Sequence, residues 1–99
     1  MPKVNYKLSK EAQNDLEQIW IYTLENWSID QADRYLNLLI DEMEYLCLKP
    51  NSGFNFDHIR TGYWRTKVKS HFIFYRINQS TELEIIRILH ERMDVETQL

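Results

Sequence analysis

Apolar and polar residues alternate over positions 3–8, KVNYKL, so Val4, Tyr6 and Leu8 share one face of a predicted short strand. Ser9 follows as a helix N-cap, with Glu11 placed in the first turn near the positive end of the helix dipole. The period then changes. Over 10–27, at about 100° per residue, Ala12, Leu16, Ile19, Trp20, Thr23 and Trp27 form one stripe. Tyr22 and Leu24 flank it, and Ile21 points away from it. A break at 28–30 supplies a second cap, and the helical period resumes over 30–48 with Ala32, Tyr35, Leu36, Leu39, Ile40, Met43, Leu46 and Cys47. Pro50 stops it. Two long helices with so short a connection predict an antiparallel helical hairpin.

Residues 49–57, KPNSGFNFD, are rich in turn formers and predict the one long loop. Three strands are predicted after it, at 63–68, 71–77 and 83–89, with hairpin turns at 69–70 and 78–81. Residues 91–99 are polar and predict a tail or a single helical turn. The fold class is therefore α+β: one domain over 1–99, in the order β-α-α-β-β-β, with a helical hairpin packed on a mostly antiparallel sheet.

That architecture has one helical layer, yet two strands are apolar on both faces. In 71–77, Ile73, Tyr75 and Ile77 oppose Phe72 and Phe74; in 83–89, simple alternation sets Leu83, Ile85 and Leu89 against Ile86 and Ile88. The favoured reading is that a partner covers the second face. The alternative is that the 49–60 loop and the tail fold over it. On the helices, Leu38 and Tyr45 lie seven residues apart and align outside the buried stripe. Leu48 lies off it too, and Ile21 is its counterpart on the first helix. Such a line suits an amphipathic partner helix.

Composition narrows the function classes. The chain is 43% apolar and 27% charged, which places it with ordinary globular domains instead of disordered ones. The first fifteen residues have no apolar run of the signal-peptide kind, and no stretch reaches the roughly 18 apolar residues of a membrane span. Cys47 is the single cysteine, so no internal disulfide forms, which fits a reducing cytoplasm. The net charge of −3 argues against broad phosphate binding. Locally the balance differs: Arg65, Lys67 and Lys69 alternate and so are expected on one face, Arg76 and Arg87 lie in the next two strands, and His90 and Arg92 follow. The blander reading of these is a solvated strand face, with an arginine paired to a glutamate such as Glu84. His58, His71 and His90 lack metal-ligand spacing, and neither a phosphate-cradling glycine loop nor a nucleophile motif is present. The carboxylates of Glu11/Asp15 and Asp41/Glu42/Glu44 read as solvated helix surface. No cofactor or metal is expected.

Over nearly its full length the chain resembles the ParE toxins of the RelE/ParE superfamily. The carriers are LSKEAQNDLEQIWIYT, QADRYLNLLIDEMEYLCLKPNSG, IRTGYWRTKVKSHFIFYRI and IIRILHERMD, of which HFIFYRI and ILHERMD are the most specific. The resemblance implies a small α+β toxin neutralised by a cognate antitoxin, typically a ParD-like ribbon-helix-helix protein whose C-terminal segment lies along the helical hairpin. It makes Ile21, Leu38, Tyr45 and Leu48 the expected antitoxin-binding residues, and operator DNA is reached only through the antitoxin. The resemblance also offers two targets. One is DNA gyrase, inhibited by protein binding without an enzymatic step; the other is ribosome-bound mRNA, cleaved as RelE-like enzymes cleave it. RNA cleavage needs a general base, a general acid and positive charge at the scissile phosphate. Arg65, Lys67, Arg87 and His90 fit that role loosely, but Glu91, Arg92, Met93 and Asp94 follow His90 with no tyrosine, and the net charge is acidic. Gyrase is therefore favoured, with Arg65, Lys67, Arg87, His90 and Arg92 as the expected target-binding set. An inactive module that only binds an antitoxin is the third reading.

Overall fold

Two serines set up the helical layer. The Ser9 hydroxyl accepts from the Ala12 N–H at 2.9 Å and the Ser28 hydroxyl from the Gln31 N–H at 3.1 Å. The computed structural model describes residues 6–99, and in it helix α1 spans Lys10–Asn26 and α2 spans Ile29–Leu48. They form the expected hairpin, and the Trp20 indole N–H donates to Asp33 across it at 3.0 Å. Ala12, Leu39, Met43 and Leu46 are buried from the helical side.

Strand β1 (Tyr6–Leu8) precedes the hairpin, and β2 (Phe54–Asn55), β3 (Trp64–Val68), β4 (His71–Ile77) and β5 (Leu83–His90) follow it. Residues 3–5 of the expected first strand, with Val4, lie outside the described residues. The strands form one sheet in the order β1-β5-β4-β3-β2. β1 runs parallel to β5, because the helical hairpin carries the chain across the sheet between them, and the other pairs are antiparallel. The short edge strand β2 is an addition to the expected order. It falls in the segment whose turn formers predicted a loop. A 3-10 turn at Pro50–Ser52 leads into it. The buried Tyr75 hydroxyl ties that segment down, donating to the Pro50 carbonyl at 2.7 Å and accepting from the Gly53 N–H at 3.2 Å.

The register of β4 on β5 carries a bulge. Phe74 pairs with Arg87, but its neighbour Tyr75 pairs with Ile85, so Ile86 is the extra residue. One inserted residue reverses the facing of everything beyond it. Ile85 and Ile88 therefore lie in the same cluster under the helices, and Leu89 lies in a second cluster on the outer face. The expectation from simple alternation is corrected on both Ile88 and Leu89.

The outer face is covered by the chain itself, contrary to the favoured reading of a partner. Phe56 from the loop packs with Phe74 and Leu89, and Ile59, Tyr63, Val95 and Leu99 join them. Val95 and Leu99 belong to the C-terminal turn, where α3 spans Val95–Gln98. No helix among the described residues is long and apolar enough to cross a membrane.

Candidate functional site

The helical hairpin overhangs the end of the sheet. Below the α1–α2 turn this leaves a cleft of about 700 Å3, walled by the helices and floored by the His71 and His90 end of β4 and β5. Trp27, expected in the buried stripe, is 64% exposed, because it caps α1 beyond the point where the helix meets the sheet. It packs against Tyr22, with ring centroids 6.0 Å apart. Tyr22, Trp27, Leu38 and Met93 are exposed apolar residues on the cleft wall. Sequence reading missed Tyr22 and Met93: one flanked the buried stripe, and the other sat in a polar tail. Arg34 and Lys69 stand at the same cleft, and neither forms an ion pair among the described residues.

At the floor, Tyr35 joins α2 to the sheet. Its hydroxyl donates to the Val68 carbonyl at 3.0 Å and lies 2.6 Å from His71 Nδ1. With the hydroxyl proton on Val68, the Nδ1–H tautomer of His71 completes the second bond. His71 pairs across the strands with His90, their rings edge to face at 5.2 Å. Burial, reinforced by His90 and opposed by Asp15 and Glu91, lowers the His71 pKa from 6.5 to about 4. The unfolded chain therefore takes up a proton that the folded chain refuses, and stability falls as pH drops from 6.5 toward 4. With the ring partly open to solvent, the loss is on the order of 1–2 kcal/mol. Urea melts near pH 7 and about pH 5 should show it, and His71→Phe should flatten that slope.

The expected antitoxin residues lie along the hairpin. Leu38, Tyr45 and Leu48 are 39%, 46% and 58% exposed, and Ile21 is half-buried. Leu38 also lines the cleft, so the exposed track on α2 runs into it.

The expected target residues are divided between places. Arg65 and Lys67 share the outer face. The Arg65 guanidinium lies 4.3 Å from the ring centre of Phe72, 4.8 Å from Phe56 and 5.4 Å from Phe54. Lys67 pairs with Glu91 at 3.0 Å and holds that carboxylate below its usual range. Lys69, expected on the same face, sits in the β3–β4 turn with φ of 55° and lines the cleft on the helical side. Arg76 pairs with Glu84 at 2.7 Å. His90 belongs to the cleft, and its Nδ1 accepts from the Arg92 N–H at 3.2 Å. Arg92 is exposed and unpaired among the described residues.

Arg87 is held most firmly. Its Nε and Nη2 donate to the two Asp15 oxygens at 2.8 and 3.0 Å, and the Ile88 N–H donates to the same carboxylate at 2.9 Å. Sequence reading took Asp15 for solvated helix surface. No signal along the chain pointed to its partner, because β1 pairs with β5 only as far as Ile85, and the edge beyond is open to a carboxylate from α1. Among the described residues, no group of three histidine, cysteine or acidic side chains could hold a metal ion.

Comparison with known proteins gives a consistent result. A family described as "ParE toxin of type II toxin-antitoxin system, parDE" matches residues 6–95. Toxin ParE1 of Mycobacterium tuberculosis is 39% identical over 94 residues, covering 95% of this chain and 96% of the relative. Toxin ParE1 of Caulobacter vibrioides is 36% identical with the same coverage. A solved structure titled "Chromosomal ParDE TA system from P. aeruginosa" is similar in fold, with a TM-score of 0.76 and 17% identity over 88% of this chain and 95% of that one.

Proposed function

The chain belongs to the ParE toxins of type II toxin-antitoxin systems, and from that premise we propose that it is held inactive by a ParD-like ribbon-helix-helix antitoxin and, when free, inhibits DNA gyrase in the cytoplasm. The antitoxin's C-terminal segment lies along α2 over Leu38, Tyr45 and Leu48, beside Ile21, and its end enters the cleft. Arg34 and Lys69 at that cleft favour an acidic segment carrying apolar anchors. Operator DNA is bound through the antitoxin.

The observation that supports gyrase over RNA cleavage is the engagement of the sheet cations. RNA cleavage needs positive charge free to meet a phosphate. Here Arg87 is committed to Asp15, Lys67 to Glu91, and Arg65 to a cluster of phenylalanine rings. Within the basic set, Arg92 remains exposed, and unpaired among the described residues, beside His90 as the contact offered to the target. In a supercoiling assay with purified gyrase, the toxin should inhibit, and Arg92→Glu should raise the concentration needed by roughly tenfold or more while antitoxin affinity holds. Undiminished inhibition by Arg92→Glu removes that contact from the account. Absence of inhibition by the unaltered toxin removes gyrase.

A further inference from the structure

We propose that Asp15 and Arg87 act as a latch that positions the C-terminal tail on the outer face of the sheet, so that the segment following β5 is presented in one fixed arrangement. The tail's functional part rests on the reading above, in which residues after β5 meet the target.

The bulge in β5 brings the pair together. By inserting Ile86, it turns Arg87 to the outer face, on the side where the tail lies. The open edge of β5 beyond Ile85 then lets the arginine reach around to Asp15 on α1. The two bonds to Asp15 use Nε and Nη2 and fix the plane of the guanidinium. Nη1 is left to donate to the Gln98 carbonyl at 3.2 Å. One rigid fork thus joins α1, β5 and the tail.

The tail needs such a tie. A helix of four residues has no stability of its own. Its other attachments are Val95 and Leu99 in the outer cluster and a bond from Arg60 to the Leu99 carbonyl. Both bonds to the tail, from Arg60 and from Arg87, lie at exposed sites, but the Arg87 guanidinium is itself fixed by Asp15 in a pair whose side chains are 20% and 11% exposed. A pair so placed holds one geometry better than a surface contact does.

Lysine at position 87 keeps the charge opposite Asp15 but cannot make a two-pronged bond and also reach the tail. In Arg87→Lys, hydrogen exchange of amides 95–99 should therefore speed up by roughly tenfold or more, while the exchange of α1 and β4 stays as it was. Growth arrest on expression should weaken in parallel. Arg60→Gln serves as a second variant, in case the first folds poorly. It should loosen the tail less, and combined with Arg87→Lys it should loosen it further. Unchanged exchange of 95–99 in Arg87→Lys overturns the latch. A freed tail with full growth arrest overturns its role in presenting the tail. The exchange measurement uses neither gyrase nor antitoxin, so failure of the gyrase reading leaves the test of the latch intact.

Discussion

Replacing Leu38 and Tyr45 together by glutamate should weaken binding of the cognate antitoxin by about a hundredfold. Both side chains are exposed in the free toxin, at 39% and 46%, so the substitutions leave the fold and its melting temperature close to unchanged. In the complex each would bury its remaining apolar surface against the partner segment. Losing both contacts costs about 3 kcal/mol, which corresponds to a factor of roughly a hundred in Kd. New carboxylates also face an occupant expected to be acidic, given Arg34 and Lys69 at the cleft. Titration calorimetry on the purified pair measures this directly. An unchanged Kd, with the variant folded, would place the antitoxin on another surface.

The second large effect concerns stability. Arg87→Met leaves the Asp15 carboxylate largely buried with no counter-charge, and one-sided removal of this kind costs about 3 kcal/mol. For a domain of this size the melting temperature should fall by at least about 12 °C. Asp15→Asn added to Arg87→Met should recover part of the loss, because no charge then remains to be desolvated and an oxygen still accepts from the Ile88 N–H. Thermal melts of the two single variants and the double variant give the coupling between them. Strictly additive losses would mean that the pair contributes nothing as a pair.

The helical hairpin and the three long strands were legible because each rests on local signals. Ser9 and Ser28 are caps, Pro50 is a stop, the 3.6 period runs over 10–26 and 29–48, and 71–77 is a short, aromatic-rich apolar run bounded by turn residues. The helix ends agree within one residue. What escaped was set by contacts distant along the chain. Strand β2 exists because Phe54 and Asn55 meet Arg65 and Trp64, a pairing that their own turn-rich sequence does not announce. The bulge at Ile86 looks like ordinary alternation until its partner strand is in place. Asp15, an acidic residue on a polar stretch of helix, gives no sign that a β-strand edge some seventy residues later requires it. The outer sheet face looked like a docking surface because Phe56, Val95 and Leu99 were scattered in segments read as loop and tail. For the candidate site, the α2 track was visible as a seven-residue spacing, whereas the cleft depends on how far the hairpin overhangs the sheet.

The most direct test of the central claim is controlled expression in a bacterium with thymidine and methionine incorporation followed side by side. DNA synthesis should fall first, accompanied by a DNA-damage response, and co-expression of the antitoxin should prevent both. Methionine incorporation falling first would contradict that claim, turning attention to RNA cleavage with His90 and Arg65 as the residues to examine.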